Sequence, residues 1–312
     1  MRTGLPIALL SAAAFGLSGS LASPLLATGW SPAAVVAIRV GGAFLVLLLP
    51  CLLLLRRTGL PSLRTSGRMV VYGLVAVAGA QLCYFSAVQH LSVGVALLLE
   101  YSAPVLLIGW LWWRRGQRPT AAKLVGAAFA IAGLVLVLDL TSGARVSPVG
   151  VAWGLGAALC LCAYFLLSEH TDAAPPALLL TTVGTGVGAS VLVLAGLIGI
   201  VPLTAASASV TLGGHSLPWW APLLALALVT AALAYLTGIE AVRRLGSSVA
   251  SFVALFEVVL AVVFAALLLG QVPTPTQAVG GALILIGIAV VQTTPAALRT
   301  VVHSVYARTH GR

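Results

Sequence analysis

Ten apolar runs, each about as long as a membrane-spanning helix, divide this sequence and restrict what it can fold into. A helix needs roughly 20 mainly apolar residues to cross the hydrocarbon core of a bilayer. Only 7% of the residues are charged, against about 25% in a soluble domain. The runs are 5–27, 32–55, 68–90, 91–114, 120–139, 148–168, 176–202, 217–242, 246–269 and 274–293. We therefore predict an all-α membrane protein with ten transmembrane helices.

The positions of the basic residues predict how the helices are oriented. Cytoplasmic loops of membrane proteins carry an excess of Lys and Arg. With the N-terminus inside, Arg145 lies in an outer loop and Arg39 within a span, so fourteen of the sixteen basic residues fall on the inner side. We expect a multi-pass protein of the plasma membrane with both termini in the cytoplasm. The net charge of +10 does not indicate nucleic-acid binding, because the basic residues flank apolar runs and form no basic stripe with aromatic residues.

The sequence contains an internal repeat. Shifted by 154 residues, residues 82–137 align with 236–291 without a gap, and Gly116-Gln117-x-Pro119-Thr120 falls on Gly270-Gln271-x-Pro273-Thr274. Apolar sequence of low complexity produces chance Ala and Val matches, but such a motif at one fixed offset is much harder to obtain by chance. Each copy holds five spans, and because five is odd, the second copy enters the membrane from the opposite side. Two inverted five-helix repeats are a plan found in secondary transporters.

The repeat predicts the organisation of the chain: 1–140 is the first copy, 148–294 the second copy and 295–312 a cytoplasmic tail. The first span has a second interpretation, since Arg2, the apolar stretch and Leu21-Ala22-Ser23 also fit a signal peptide with a cleavage site. The second copy keeps a matching helix at its start. We therefore expect the first span to be retained.

With ten spans, two copies of a five-helix unit and a Gly-(Glu/Gln)-x-(Leu/Pro)-(Thr/Ser) turn before the fifth span of each copy, the chain resembles the EamA-type family of the drug/metabolite transporter superfamily. The resemblance covers about residues 5–294. The family turn usually carries Glu, whereas this chain has Gln117 and Gln271. The resemblance implies ATP-independent export of small metabolites, often amino acids, or of drugs. It does not specify the substrate, because relatives differ widely.

Three further positions compare with patterns of that family. The second copy of relatives often has Leu-Glu-Pro in its fourth helix, and here the sequence is Phe256-Glu257-Val258, which keeps the Glu without the Pro. The first copy has the Pro, at Pro104. An Arg early in the second span is also typical of the family, and Arg39 fits this pattern.

Three ionisable residues lie deep inside predicted spans and are the candidates for a role in transport: Arg39, Glu100 and Glu257. A charged residue at the centre of a membrane helix costs about 2.5–3.5 kcal/mol on insertion scales, so such residues usually have a function. We predict a site near the midplane in which a glutamate binds the ammonium group and Arg39 the carboxylate of a substrate that carries both. One glutamate could instead exchange a coupling proton. The structural alternative is that Arg39 pairs with a glutamate or with backbone carbonyls and only locks helices together.

Four polar or aromatic residues near these spans are further candidates for substrate binding. They are Gln81, Tyr84, Tyr101 and Tyr235. Gln81 and Tyr235 align under the 154-residue shift, which indicates equivalent positions facing a cavity. Each of the four could instead be a packing or interface residue.

We expect no cofactor, metal site or catalytic residue. Cys160 and Cys162 are two residues apart on a helix and point to different faces, which does not suit a metal. The chain lacks the Gly-rich loop with Lys and Ser/Thr that binds ATP phosphates. Gly16-Leu17-Ser18-Gly19 matches the Gly-x-Ser-Gly of rhomboid-type intramembrane proteases, but a serine nucleophile needs a base. The five histidines all lie at span ends, in loops or in the tail.

The sequence therefore predicts a secondary membrane transporter that exports small metabolites, amino acids or related compounds, or drugs, by alternating access. A membrane enzyme or a lipid-handling scaffold is the alternative. The expected partners are a small-molecule substrate, with or without coupled protons, and the lipid bilayer. Substrate identity, coupling ion, transport direction and oligomeric state stay open at this point.

Overall fold

The computed structural model describes residues 3–91, 93–138, 147–169 and 174–309. Its elements, several of which join end to end within one span, are α1 Gly4–Ala27, α2 Pro32–Thr58, α3 Leu63–Val71, π1 Tyr72–Gly79, α4 Ala80–Val88, α5 Val93–Glu100, α6 Ala103–Arg115, α7 Ala121–Val137, α8 Pro148–Ser168, α9 Ala177–Leu197, β1 Val210–Leu212, β2 His215–Leu217, α10 Trp220–Ala225, π2 Leu226–Leu233, α11 Ala234–Leu245, α12 Ser247–Ala254, α13 Phe256–Leu269 and α14 Pro275–Thr309. Arg2 and Arg145, which entered the orientation argument, lie outside the described residues, as do residues 310–312 of the predicted tail.

Within the described ranges, nine helical segments are long and apolar enough to cross a membrane, and α7 is a tenth apolar helix of 17 residues. The prediction of ten transmembrane helices is thereby confirmed. Most bounds agree within a few residues, and α8 has the bounds predicted for its span. The span predicted to end at residue 202 ends as α9 at Leu197, because Gly199 takes a left-handed φ of 79° and stops the helix. The antiparallel hairpin β1–β2 is an addition that the apolar pattern did not predict.

Helix capping explains the repeated Gly-Gln-x-Pro-Thr motif. Gly116 and Gly270 directly follow α6 and α13, with φ of 64° and 68°, in the left-handed region that glycine occupies without strain. The Thr120 hydroxyl accepts the backbone N–H three residues later at 3.4 Å, and the Thr274 hydroxyl does the same at 3.3 Å. A threonine in this position caps the N-terminus of the next helix. The motif therefore ends one helix and starts the next.

Two helix irregularities occur in both copies at the same register. The π-helical segments π1 and π2 each have eight residues, and they begin and end 154 residues apart. The fourth and ninth spans are broken near their middles, after Glu100 and at Leu255. Pro104, which has no N–H to donate, accounts for the wider break in the first copy. Val258 aligns with that proline. In the second copy the break is a single residue, Leu255, after which α13 begins.

The two copies exchange their first helices. Helix α1 packs most extensively against α11 and α13 of the second copy, and α8 packs most extensively against α4 and α5 of the first. The outcome is two mixed bundles, which we call the α1 bundle (α1 with α10–α13) and the α8 bundle (α8 with α3–α6). Helices α2 and α9 pack against each other, and so do α7 and α14.

Paired glycines bring α7 and α14 into close contact. A Cβ atom at Gly133 would lie 2.5 Å from the Gly280 carbonyl oxygen, and one at Gly280 would lie 2.7 Å from the Gly133 carbonyl oxygen. Gly126 and Gly287 face each other in the same way, with a Cβ at Gly287 falling 2.7 Å from the Gly126 carbonyl oxygen. Small residues permit such approach of membrane helices. Since Gly126 aligns with Gly280 and Gly133 with Gly287, this contact is reciprocal between the copies.

The two ends of the bundle differ in chemistry. At one end α2, α6 and α11 finish with arginines, and we call it the basic end. The opposite end, which we call the hairpin end, carries β1 and β2, where Val210 packs with Leu25 and Trp30. Ser31 ties the α1–α2 turn to the segment after α9 there, since its backbone N–H donates to the Thr204 carbonyl oxygen at 3.0 Å.

Candidate functional site

A cavity of about 890 Å³ lies between the α1 bundle and the α8 bundle. It is large enough for a small organic ligand. Its wall includes Leu26, Pro32, Val88 and Gln271, which stand at the hairpin end of their helices, so the cavity extends to that end. Toward the basic end it stops near Ala8, where α1 packs against α11 and α12. The seven residues predicted for substrate binding or coupling all line this cavity, namely Arg39, Gln81, Tyr84, Glu100, Tyr101, Tyr235 and Glu257.

Arg39 is a buried cation without a carboxylate partner in the described part of the chain. Its Nη1 donates to the Ser18 hydroxyl and its Nη2 to the Thr230 carbonyl oxygen, both at 2.9 Å. The guanidinium carbon lies 5.7 Å from the centroid of the Phe15 ring, a cation–π contact. Its Nε is buried and has no hydrogen-bond partner among the residues that the structure describes.

The sequence left open whether Arg39 pairs with a glutamate or with backbone carbonyls, and these contacts distinguish the two possibilities. The arginine binds one backbone carbonyl, as that alternative allowed, and it forms no salt bridge with a glutamate. Two hydrogen bonds to neutral groups satisfy part of the guanidinium, and the nearest carboxylate interaction is a longer-range attraction to Glu257. A buried charge of this kind is costly unless it is paired, so the arrangement suits an anionic group that enters the cavity.

Both glutamates stand at the mid-span helix breaks. Glu100 is the last residue of α5, and Glu257 lies in the first turn of α13. They are partly exposed to the cavity and close enough to interact electrostatically with each other. Tyr101 adjoins Glu257, and Tyr84 adjoins Glu100. No salt bridge joins either carboxylate to a basic residue within the described ranges, so both are available to a cationic group.

A floor of aromatic rings lies under part of the cavity, and beside it Ala241 and Val242 line the cavity further toward the basic end. Tyr235 packs edge-on against Phe15 at 5.2 Å between ring centroids and against Tyr164 at 6.0 Å. Tyr72 lies behind them, fully buried, with its ring 6.0 Å from that of Tyr164. Glycine at position 238 makes room for this floor, because a Cβ there would collide with the Tyr164 hydroxyl. We call Tyr72, Tyr164 and Tyr235 the tyrosine floor.

Three contributors to the site were not recognised as such from the sequence. Phe15 was not singled out, and Ser18 was considered only as a protease nucleophile. The two lie three residues apart and share one face of α1, so a polar residue on an aromatic face could have indicated a partner for Arg39. Thr230 contributes through its main-chain carbonyl, for which a side-chain pattern carries no signal.

Two copies of a five-helix unit, with charged residues at mid-span helix breaks around a central cavity, define the architecture of a secondary membrane transporter. The chain belongs to the EamA-like transporter family. The family model matches residues 2–139 and residues 148–293, once for each copy.

The chain is also similar to individual known proteins. The chain is 29% identical over 214 residues to the threonine/homoserine exporter RhtA of Escherichia coli (strain K12), and the match covers 67% of this chain and 65% of RhtA. RhtA of Escherichia coli O157:H7 gives the same values. The chain thus spans about two thirds of the length of the curated relatives that it matches. A solved structure described as "Crystal structure of protein" has a TM-score of 0.74 at 19% identity, covering 93% of this chain and 96% of that one, and is similar in fold.

Proposed function

We propose that this protein is a secondary transporter of the cell membrane that exports small molecules carrying both an ammonium and a carboxylate group, amino acids among them. It works by alternating access, with the two copies in inverted orientation and both termini in the cytoplasm. In that orientation the basic end faces the cytoplasm, and the cavity opens at the outer surface. The similarity to RhtA, a threonine/homoserine exporter, supports an amino-acid substrate.

The observation that carries this proposal is the set of unpaired charges around one cavity. Arg39 has hydrogen bonds only to neutral groups, and Glu100 and Glu257 have no basic partner within the described ranges. A zwitterionic solute supplies both missing partners, its carboxylate at Arg39 and its ammonium at the glutamates. Charge pairs of this kind are strong where water is excluded. A neutral or purely hydrophobic drug would supply no partner of opposite charge to Arg39 or to the glutamates, so the set favours the zwitterion.

Proton coupling is part of the proposal and depends on the glutamate pair. Two carboxylates close together resist simultaneous ionisation, because like charges in a low-dielectric site repel each other. Their adjacency suits a site that holds either a proton or the ammonium group of the solute. Exchange of that proton for the ammonium group of the solute would couple export to the proton gradient.

An enzymatic role has less support. Ser18, the serine of the protease-like motif, accepts a hydrogen bond from Arg39, which is a cation and not a base that could activate a nucleophile. Among the histidines within the described ranges, His90 and His215 lie outside the helices and do not line the cavity, and His303 lies near the end of α14. A lipid-handling scaffold would not need charged residues around a central cavity that reaches one end of the bundle.

Counterflow in proteoliposomes tests the function. Vesicles loaded with unlabelled threonine or homoserine are expected to take up the labelled amino acid faster than empty vesicles. The amino-acid methyl ester, which lacks the carboxylate, and the N-acetyl derivative, which lacks the ammonium group, should compete poorly. If folded protein moves no amino acid, or if both derivatives compete as well as the parent compound, the zwitterion proposal is wrong.

A further inference from the structure

Three arginines from three different helices converge where α8 ends and α9 begins. Arg115 forms a salt bridge with Glu169, Nη2 to Oε2 at 2.7 Å. Arg68 donates from Nη2 to the Leu167 carbonyl oxygen at 3.1 Å. Arg243 donates from Nη2 to the Pro175 carbonyl oxygen at 2.5 Å and from Nε to the Ser168 carbonyl oxygen at 3.4 Å. The link between these helices has no Lys or Arg of its own in the sequence, and the neighbouring helices supply the arginines.

Arg243 differs from the other two in what it connects. Arg68 and Arg115 belong to α3 and α6, which are part of the α8 bundle, so their contacts hold that bundle together. Arg243 belongs to α11 of the α1 bundle. Its hydrogen bonds therefore cross between the two bundles at the basic end, below the cavity. A motion that separated the bundles at this end would have to break them.

Buried hydroxyl groups lie beside this crossing. The hydroxyl of Tyr72 faces the side chain of Ser168, and Ser247 of α12 adjoins Glu169; all three hydroxyls are buried, and among the described residues none meets strict hydrogen-bond geometry with a partner. Ser168 is fully buried and Ser247 is 2% exposed. An unsatisfied buried hydroxyl is unfavourable. Hydroxyls buried together at this place suit a second state of the protein in which water or solute reaches them.

We propose that the route from the cavity to the basic end passes between α8 and α11, and that Arg243 is the clamp that closes it. In the state described, the tyrosine floor blocks the route above, and the hydrogen bonds of Arg243 to the Ser168 and Pro175 carbonyls block it below. When these bonds break, Tyr72, Ser168 and Ser247 become the lining of the open route. The inference rests on the proposed function, since it assigns a path to the solute that this function moves.

Cysteine accessibility tests the clamp without any solute. In a chain whose four native cysteines are replaced by serine, Ser168→Cys places a thiol on the route. We expect a membrane-impermeant maleimide applied at the basic end to react slowly with this thiol, and Arg243→Gln to raise the rate roughly tenfold or more, because it removes hydrogen bonds from a charged donor that favour the closed state. Arg244→Gln is the matched control, since Arg244 pairs with the exposed Glu240 at 2.7 Å within its own helix.

The proposal is wrong if Arg243→Gln leaves the rate unchanged, or if Arg244→Gln raises it equally. Arg243→Lys keeps the charge but not the two-point contact, and should fall between the wild type and Arg243→Gln. If Arg243→Gln does not fold, as judged by its thermal melting, the Lys variant and a Ser247→Cys reporter on the facing helix decide the question in its place.

Transport by the labelled protein separates this inference from the proposed function. A maleimide on Ser168→Cys should block transport by a preparation that is active before labelling. Unimpaired transport after complete labelling would overturn the route and leave the function standing. If the unlabelled protein moves no solute at all, the proposed function fails, and the labelling rates alone decide whether Arg243 closes the basic end.

Discussion

Arg39 of the first copy donates a hydrogen bond to the main-chain carbonyl of Thr230 in the second copy, at 2.9 Å. This carbonyl belongs to π2, a segment in which the regular i to i−4 bonding of an α-helix is interrupted. The side chain of Thr230 is not the partner, since its hydroxyl donates to the Leu226 carbonyl oxygen at 2.9 Å. The cation that we assign to the substrate carboxylate is therefore held by the backbone of the other copy.

Substitution of Arg39 should abolish transport more than it disturbs the fold. Arg39→Gln removes the charge, and we expect counterflow to fall by at least about tenfold, because a charge-assisted hydrogen bond to a carboxylate is worth about 1.5–3 kcal/mol. Arg39→Lys should also be impaired, since an ammonium group cannot make the planar contacts with Ser18 and Thr230. Ser18→Ala is the milder control. Full activity of Arg39→Gln, with unchanged thermal melting, would contradict the assignment.

Glu257→Gln should separate exchange from accumulation. The amide has the shape of the carboxyl group but cannot release a proton, so a coupling role predicts that solute–solute exchange continues while accumulation driven by a pH gradient is lost. Both rates can be measured on the same proteoliposomes. Glu240→Gln, which alters an exposed ion pair on α11, is the control. Accumulation by Glu257→Gln at the wild-type rate would exclude Glu257 as the coupling group.

The salt bridge between Glu169 and Arg115 predicts a small pH-dependent change in stability. Burial raises the pKa of the Glu169 carboxyl, but Arg115, through its hydrogen bond and charge, and the neighbouring Ser247 together outweigh burial and hold the pKa below its ordinary value. A lowered pKa stabilises the fold above the unfolded-state value, about 4.3, and this contribution is lost as the pH falls through the folded-state value. The pair is partly exposed, so we expect about 0.5 kcal/mol.

Thermal melting in detergent checks this prediction. Glu169→Gln should melt slightly below the wild type at pH 7, and the two curves should converge at pH values below the ordinary range of a glutamate. A difference that persists unchanged at low pH would mean that packing of the side chain, and not its charge, stabilises the end of α8.

The glycine contact between α7 and α14 predicts which glycines tolerate substitution by alanine. Gly133→Ala places a methyl group against the Gly280 carbonyl oxygen, and we expect destabilisation by about 1–3 kcal/mol, the usual cost of overpacking. Gly109→Ala in α6 is the matched control, because no atom lies within 4 Å of a Cβ built there. Thermal melting of both variants measures the difference. Equal melting temperatures would show that the two helices can separate without cost.

Much of the fold was predictable because the bilayer constrains properties that can be read directly along the sequence. Span length and charge placement are both visible in the amino-acid order. Arg39, Glu100 and Glu257 were conspicuous for the same reason, since charges within apolar runs are rare. The Gly-Gln-x-Pro-Thr motif revealed the repeat because glycine, proline and threonine each do a local task at a helix end.

The parts that escaped prediction depend on backbone geometry or on contacts distant in the chain. A π-helical segment is as apolar as an α-helix, so the hydrophobic pattern of Tyr72–Gly79 carries no sign of it. The exchange of α1 and α8 between the copies is a matter of packing between equally apolar surfaces. The convergence of Arg68, Arg115 and Arg243 uses mostly carbonyl oxygens as acceptors, and every residue has one.

The matching positions of π1 and π2 bear on the history of the molecule. Both segments begin and end 154 residues apart, without a shift of even one residue. Such a distortion arising twice, at the same place, after the two halves had become separate would be a coincidence. Duplication of a single five-helix unit that already had this turn accounts for the match, since each copy would then keep the turn at the same place.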